Sequence, residues 1–203
     1  MRQFLLRPAL PLAFCLWLGL VAWGSGWLIH YSFAAGEGGR APATLPPAFV
    51  SRTSPPRPLL LLPLHPRCPC SRATLHELAR VLTRASNSCD VTVLMYRPGE
   101  QPDGWMEGSL LEECQRMHLQ VRPDPDGRVA ASMGVFTSGG VLLYDRSRRL
   151  RYQGGITGAR GHEGDNEGED ALVQNLDGTG RSRTSMPVFG CPLGGQSTNR
   201  AAL

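Results

Sequence analysis

The residues best suited to chemistry are two cysteines one residue apart, in the stretch His65-Pro66-Arg67-Cys68-Pro69-Cys70-Ser71. The apolar run Leu59–Leu64 precedes them. After them, apolar residues recur at positions 75, 78, 79 and 82, the spacing of a helix with one buried face. The cysteines are therefore predicted to lie where a strand gives way to a helix N-terminus. Unpaired N–H groups and the helix dipole favour a thiolate there, and a thiolate is a nucleophile or a ligand for a soft metal.

Composition excludes several classes of function. All 21 basic residues are arginine, so a mechanism that needs a lysine Schiff base or a P-loop lysine is excluded. The formal net charge is only +4, and the arginines are scattered among acidic residues, so no nucleic-acid-binding surface is predicted. Six irregularly spaced cysteines do not form the framework of a disulfide-rich fold.

The N-terminal region, residues 1–34, reads as a membrane anchor or a signal sequence. Residues 8–29 carry no charge, and a span of about 20 apolar residues crosses a bilayer. Arg2 and Arg7 precede this span, which places the N-terminus in the cytoplasm by the positive-inside rule. The alternative is a signal peptide cleaved near residues 32–34. Both interpretations export the rest of the chain.

The exported part divides into three regions by composition. Residues 35–57, rich in proline and glycine, are predicted to be a linker that holds the domain off the membrane. Residues 58–176 are predicted to be the globular domain, and residues 177–203 a Gly-rich tail whose patch Val-Phe-Gly-Cys-Pro-Leu at 188–193 docks on that domain. Within the domain we expect strands at 59–64, 91–96, 141–145 and 150–153, helices at 71–84, 105–118, 128–133 and a final one ending near 176, and a loop at 122–127. This alternation indicates an α/β fold with a mixed sheet and helices on both faces.

A cysteine pair between a strand and a helix in this order resembles the thioredoxin fold, a three-layer α/β/α sandwich. In detail the chain is similar to small membrane-anchored bacterial thioredoxin-like proteins of the RedB kind. The likeness lies in CPCS at 68–71, TSGGVLLYD at 137–145, GGITGARGHEGDN at 154–166 and VFGCPL at 188–193. It implies a thiol–disulfide oxidoreductase without a cofactor, with Cys68 as the attacking thiolate and Cys70 as the resolving thiol. It also implies protein thiols or disulfides as partners, and a single-pass protein of the bacterial inner membrane whose C-terminal domain faces the periplasm.

The chain departs from the thioredoxin pattern at its centre. Cys-Pro-Cys is one residue shorter than Cys-x-x-Cys, and side chains at i and i+2 diverge around a helix, so Cys68 must lie outside the helix. No tryptophan precedes the pair. The position at which thioredoxins place a cis-proline is occupied by Gly139, in the predicted substrate-docking loop Thr137-Ser138-Gly139.

Other candidate residues keep two further hypotheses open. Cys191 is a possible third thiol, and His65, Arg160 and His162 are possible partners of a thiolate or an anion. Asp165 or Asn166 is expected to cap the last helix. One alternative is a Sco-type copper(I) chaperone with Cys68, Cys70 and His162 as ligands, since thiolates suit Cu(I). The other is a non-catalytic docking module of thioredoxin fold.

Overall fold

The computed structural model describes residues 2–49, 57–179 and 183–194, which fall into two compact units, Met1–Ala34 and Ala35–Leu203. The first unit is one helix, α1 (Arg2–Phe33). Its part Pro11–Phe33 has a mean hydropathy of 1.8 and is long and apolar enough to cross a membrane. A signal sequence would have the same properties, so this helix is compatible with both interpretations of the N-terminus.

The second unit is built on a five-stranded mixed sheet in the order β3-β2-β1-β4-β5. The strands β1, β2 and β3 are parallel to one another, β4 pairs antiparallel with β1, and β5 pairs antiparallel with β4. Their bounds are Leu59–Leu64, Asp90–Arg97, Gln120–Pro125, Val141–Tyr144 and Leu150–Gly154, in that order. The helices are α2 (Pro69–Arg84), α3 (Ser109–Arg116), α4 (Arg128–Ser132) and α5 (Glu167–Asp177). This is the thioredoxin-like α/β arrangement that the sequence predicts.

The central strand β1 sends buried side chains to both faces of the sheet, as expected for a strand without a solvent face. Leu60, Leu62 and Leu64 pack on one face against α2, α3 and α5. Leu61 packs on the other face, which is covered by α4 and by two segments outside the regular elements that contribute Ala41, Leu45 and Leu193. The fold is therefore three-layered, but one of its layers consists largely of irregular chain.

Two predicted elements are wrong in their details. Residues 122–127, predicted to be a loop, lie mostly within the edge strand β3, where Pro123 and Pro125 are tolerated because only one side of the strand is paired. The predicted helix 105–118 is instead a 3-10 turn, Asp103–Met106, followed by the shorter α3. The two are separated by Gly108, whose φ of +139° breaks the helix.

Part of the predicted linker lies against the domain. The carbonyl groups of Pro42 and Ala43 accept hydrogen bonds from the Tyr144 hydroxyl (3.0 Å) and the Leu150 N–H (3.0 Å). Ala41 and Leu45 are buried. The sequence predicts a linker here and does not predict these contacts, because alanine, glycine and proline carry no periodic signal that marks a packed segment.

Candidate functional site

Cys68 and Cys70 lie at the N-terminus of α2, as predicted. Cys68 is the residue before the helix, with an extended backbone (φ −105°, ψ 121°), and Pro69 is the first helical residue. Proline suits that position because its missing N–H would have no partner in the first turn. Cys68 is 5% exposed, whereas Cys70 is half-buried and its thiol is free.

A third cysteine completes the centre. Cys191 forms a disulfide with Cys68, with the two Cα atoms 6.3 Å apart, inside the range that a disulfide requires. The Sγ atoms of Cys68, Cys70 and Cys191 all lie within 4.8 Å of one another. The sequence analysis predicts Cys191 only as a possible third thiol. In the structure it is the disulfide partner of Cys68, a place that the resemblance gives to Cys70.

Cys191 reaches the site because the C-terminal segment runs across the domain in extended form. Its first part lies beside β5, where the Gln153 N–H donates to the Thr184 carbonyl (2.9 Å) and the Met186 N–H donates to the Gln153 carbonyl (3.2 Å). Its second part crosses the loop before β4, with an antiparallel bridge between Thr137 and Pro192. This path carries residues 188–193 along the loop before β4 and brings Cys191 to Cys68.

The predicted docking loop lies directly beside the cysteines. The Ser138 N–H donates to the Cys191 carbonyl (2.8 Å). Its hydroxyl accepts the His65 N–H (2.9 Å) and lies 2.8 Å from the hydroxyl of Ser71, which itself donates to the His65 carbonyl (2.8 Å). Ser71 and Ser138 are both buried, so this network ties the loop to the start of α2. Gly139 donates its N–H to the Pro63 carbonyl (2.9 Å).

His65 packs among aromatic rings beside the site. Its ring stacks on Tyr96, with centroids 5.0 Å apart, and meets Trp105 edge-on at 5.7 Å. Its Nδ1 accepts the Arg67 N–H (3.2 Å). Burial, followed by the positive charge of Arg67, lowers the pKa of His65 below its ordinary value of 6.5. The imidazole is therefore neutral near pH 7 and does not contribute a positive charge to a thiolate.

Arg160 and His162, predicted as possible partners of a thiolate or an anion, differ in their surroundings. Arg160 donates a hydrogen bond to the Gly190 carbonyl, so it holds the segment that carries Cys191. His162 is exposed. Among the described residues, the group of side chains placed to hold a metal is Cys68, Cys70 and Cys191, and it does not include His162. Asn166, one of the two expected caps, accepts the Glu169 N–H (2.9 Å) at the start of α5.

A cavity of about 350 Å³ opens next to Cys68. Arg67 and Arg72 contribute to its lining together with Pro66, Pro69 and Leu110. The Arg67 guanidinium lies 4.6 Å from the centre of the Trp105 ring, an arrangement that holds the cation in place. Cys68 therefore shares this cavity with two arginines and lies at a helix N-terminus, surroundings that favour a thiolate once the disulfide is reduced.

Two other cysteines are unsuited to exchange. Burial raises the pKa of both Cys89 and Cys114 to about 11, so their thiols stay protonated at neutral pH. Ser71, Tyr96 and Trp105, by contrast, belong to the site although the sequence reasoning did not select them. Ser71 directly follows the cysteine motif, which was a usable signal. Tyr96 and Trp105 lie far from it in sequence, and nothing in their local pattern points to it.

Comparison with known proteins supports the fold and leaves the activity open. No family model matches the chain, and no curated protein matches it. The chain is similar to the crystal structure of an uncharacterized conserved protein from Geobacillus kaustophilus, with a TM-score of 0.54 at 18% identity over 82% of this chain and 94% of that one. It is also similar to a hypothetical protein from Sinorhizobium meliloti, with a TM-score of 0.50 at 23% identity over 80% of this chain and 96% of that one.

A more distant match is a secreted disulfide oxidoreductase from Mycobacterium tuberculosis that is homologous to E. coli DsbE. Its TM-score is 0.42 at 14% identity, over 60% of this chain and 81% of that one. At identities below 25%, the first two matches show a shared fold and nothing more, and unrelated activities can use the same fold. The function has to be argued from the cysteine centre itself.

Proposed function

We propose that this chain is a thiol–disulfide oxidoreductase in which Cys68 is the exchanging thiol and Cys191 its intramolecular disulfide partner. The observation that carries the proposal is the Cys68–Cys191 disulfide at a helix N-terminus, with the free thiol of Cys70 within 4.8 Å. Cys70, the resolving thiol that the resemblance implies, competes with Cys191 for that role.

The exchange has two balanced steps. The Cys68 thiolate attacks one sulfur of a partner disulfide, so a mixed disulfide forms and the partner's second sulfur leaves as a thiolate. The Cys191 thiolate then attacks the Cys68 sulfur, which closes the Cys68–Cys191 bond and releases the partner as a dithiol. The partner gains two electrons and the protein loses two. The same steps in reverse oxidise a partner dithiol.

Single replacements of the three cysteines test these roles. We expect Cys68→Ser, in its reduced form, to abolish mixed-disulfide formation with an unfolded protein substrate that carries a disulfide. Cys191→Ser is expected to accumulate the mixed disulfide, whereas Cys70→Ser resolves it as the wild type does, by mass spectrometry after acid quenching. Accumulation in Cys70→Ser alone would transfer the resolving role to Cys70. A wild-type chain that exchanges with no thiol or disulfide would instead support the docking-module hypothesis.

The location of the domain is part of the same proposal. We infer that the N-terminal helix anchors the chain in the bacterial inner membrane and that the domain faces the periplasm, an oxidising compartment in which such exchange takes place. The arginines before the apolar span support this orientation. A membrane-bound product that retains residues 2–33 supports the anchor, and a soluble, shortened product supports cleavage.

A Cu(I)-binding function is the second candidate, because three sulfur atoms converge at one point. Soft thiolate ligands fit Cu(I), but two of the three become available only after the disulfide is reduced. The histidine of the predicted ligand set is not among them. We expect a stoichiometric Cu(I) titration of the reduced chain to be weakened by Cys191→Ser and unaffected by His162→Ala. If His162→Ala weakens binding and Cys191→Ser does not, the three-sulfur site is wrong.

A further inference from the structure

The segment Gly190–Leu193 is docked on the domain in the manner of an added β-strand. Around the Thr137–Pro192 bridge, the Ser138 N–H donates to the Cys191 carbonyl (2.8 Å) and the Leu193 N–H donates to the Phe136 carbonyl (2.8 Å). These are main-chain bonds, which any extended segment can make. The Phe136–Ser138 stretch is therefore a main-chain edge that holds the extended tail and brings Cys191 to Cys68.

Side chains on either side of Cys191 show what this edge selects. A Cβ atom at Gly190 would lie 2.0 Å from the Ser138 carbonyl oxygen, so the residue before the cysteine has to be glycine for the segment to come this close. Leu193, two residues after the cysteine, is 2% exposed and packs in the second core cluster. Pro192, between them, is exposed. The segment that fits this edge therefore has the pattern Gly-Cys-x-Leu, in which the exposed position x can be any residue.

The side chain of Arg160 also holds the segment in place. Arg160 donates to the Gly190 carbonyl, which adds a side-chain hydrogen bond to the two main-chain bonds. All three bonds are made to backbone atoms of the segment. They hold an extended main chain whatever its side chains are, and Gly190 and Leu193 supply the selection.

We propose that Gly190–Leu193 is a built-in pseudosubstrate and that the partner of this protein is a polypeptide with an extended Gly-Cys-x-apolar segment. This deepens the proposed function and rests on it. In the oxidised chain, the partner thiolate attacks the Cys68 sulfur, the Cys68–Cys191 bond breaks, and its electron pair leaves with Cys191. The partner segment then occupies the Phe136–Ser138 edge in place of the tail. A small thiol cannot bind this edge, so it reacts with the Cys68 sulfur more slowly than such a segment does.

The test compares matched peptides on one labelled chain. The full-length protein in detergent, with Cys15, Cys70 and Cys191 replaced by serine, carries a chromogenic thiol as a mixed disulfide on Cys68. Release of that thiol is followed with the peptide Val-Phe-Gly-Cys-Pro-Leu, with its Gly→Val form, with its Leu→Asp form and with glutathione. We expect the first peptide to react roughly tenfold faster than the Gly→Val peptide, because a side chain at the glycine position would overpack against the Ser138 carbonyl oxygen. The Leu→Asp peptide and glutathione are expected to be similarly slow.

A second variant checks that the tail and the peptide compete for one site. Adding Gly190→Val to the labelled chain weakens the docking of its own tail, so the reaction with Val-Phe-Gly-Cys-Pro-Leu is expected to accelerate. Equal rates for all peptides and glutathione would overturn the pseudosubstrate assignment while leaving exchange at Cys68 intact. Failure of every thiol to release the label would overturn the proposed function itself.

Discussion

Gly139 is held in a conformation that a side chain disfavours. Its φ is +88°, its N–H donates to the Pro63 carbonyl, and a Cβ atom would lie 2.7 Å from the Thr74 hydroxyl oxygen. Proline requires φ near −65° and has no N–H to donate. The loop beside the cysteines therefore reaches its position by a route that a proline at residue 139 could not follow.

Restoring a thioredoxin-like proline here is predicted to damage the protein. We expect Gly139→Pro to lower the free energy of unfolding by about 3 kcal/mol or more, because it loses a hydrogen bond and clashes with the local backbone. Denaturant unfolding of the variant measures this loss. Gly161 offers a matched control, since its φ is +66° and a Cβ atom there meets nothing within 4 Å. Gly139→Ala should cost more than Gly161→Ala by the contact with Thr74, and equal costs would contradict this account.

The positions of the two motif cysteines could be predicted from the sequence, but the disulfide pairing of Cys68 with Cys191 could not. The position of Cys68 and Cys70 follows from a strand signal next to a helix signal, and Ser138 lies in the loop predicted to dock a substrate. The Cys68–Cys191 contact joins residues 123 positions apart. Such a contact depends on the path of the tail over the whole domain, and no local pattern encodes that path.

Among the elements, α2 and α5 are joined by a buried carboxylate pair with two arginines. The side chains of Glu77 and Glu169 are fully buried. Glu169 binds Arg80 at 3.1 Å and Arg84 at 2.9 Å, whereas Glu77 accepts the Gly164 N–H at 2.6 Å and lies 3.5 Å from Arg80. Burial raises the pKa of Glu77 above its ordinary value of 4.5, and the charge of Glu169 adds to the effect. One carboxylate is thus well paired and the other is poorly paired.

This asymmetry gives a pH-dependent prediction for Glu77→Gln. The folded state binds the Glu77 proton more tightly than the unfolded state does. This contribution to stability is therefore fully present below pH 4.5 and is lost as the pH rises through the folded pKa. Glutamine removes that dependence, so Glu77→Gln should gain stability relative to the wild type between about pH 5 and about pH 8, by thermal melting.

Glu169→Gln is the matched comparison, because it removes the charge from the well-paired carboxylate. We expect it to lower the free energy of unfolding by about 1.5–3 kcal/mol, the usual range for hydrogen bonds to charged groups. If Glu77→Gln destabilises the protein as much as Glu169→Gln at about pH 8, the assignment of the unfavourable charge to Glu77 is wrong.

Helices and strands could be predicted where apolar residues follow a clear pattern. The strand β3 was missed because its prolines are typical of a loop. The continuous apolar run of β1 and the helical spacing in α2 identify both elements from sequence. In β3, Pro123 and Pro125 remove two donors, a pattern typical of loops, yet β3 pairs with β2 at the edge of the sheet. Only the position of a strand within the sheet, which is a tertiary property, decides whether its prolines can be accommodated.

Across the molecule, irregular chain completes one face of the sheet and also closes the site. Leu193 in the tail and Ala41 and Leu45 before β1 fill the second core cluster. The Gly36 N–H donates to the Val188 carbonyl (2.8 Å), so these two segments also contact each other. Because the tail both covers the core and carries Cys191, the redox state of the cysteines is coupled to the stability of the domain.

Reduction is therefore predicted to destabilise the whole unit and not only the site. The Cys68–Cys191 bond closes a long loop, and a native disulfide of this kind contributes about 2–4 kcal/mol to the free energy of unfolding. Urea unfolding with and without a reductant measures the loss, and Cys191→Ser without reductant should match the reduced wild type. Cys70→Ser retains the disulfide and should unfold like the oxidised wild type.

Hydrogen exchange on reduction should rise first in residues 183–194 and 136–139, because the strand contacts between them are short and the covalent bond holds them together. An unchanged unfolding curve on reduction would mean that docking of the tail does not depend on the disulfide, and the coupling argued here would be absent.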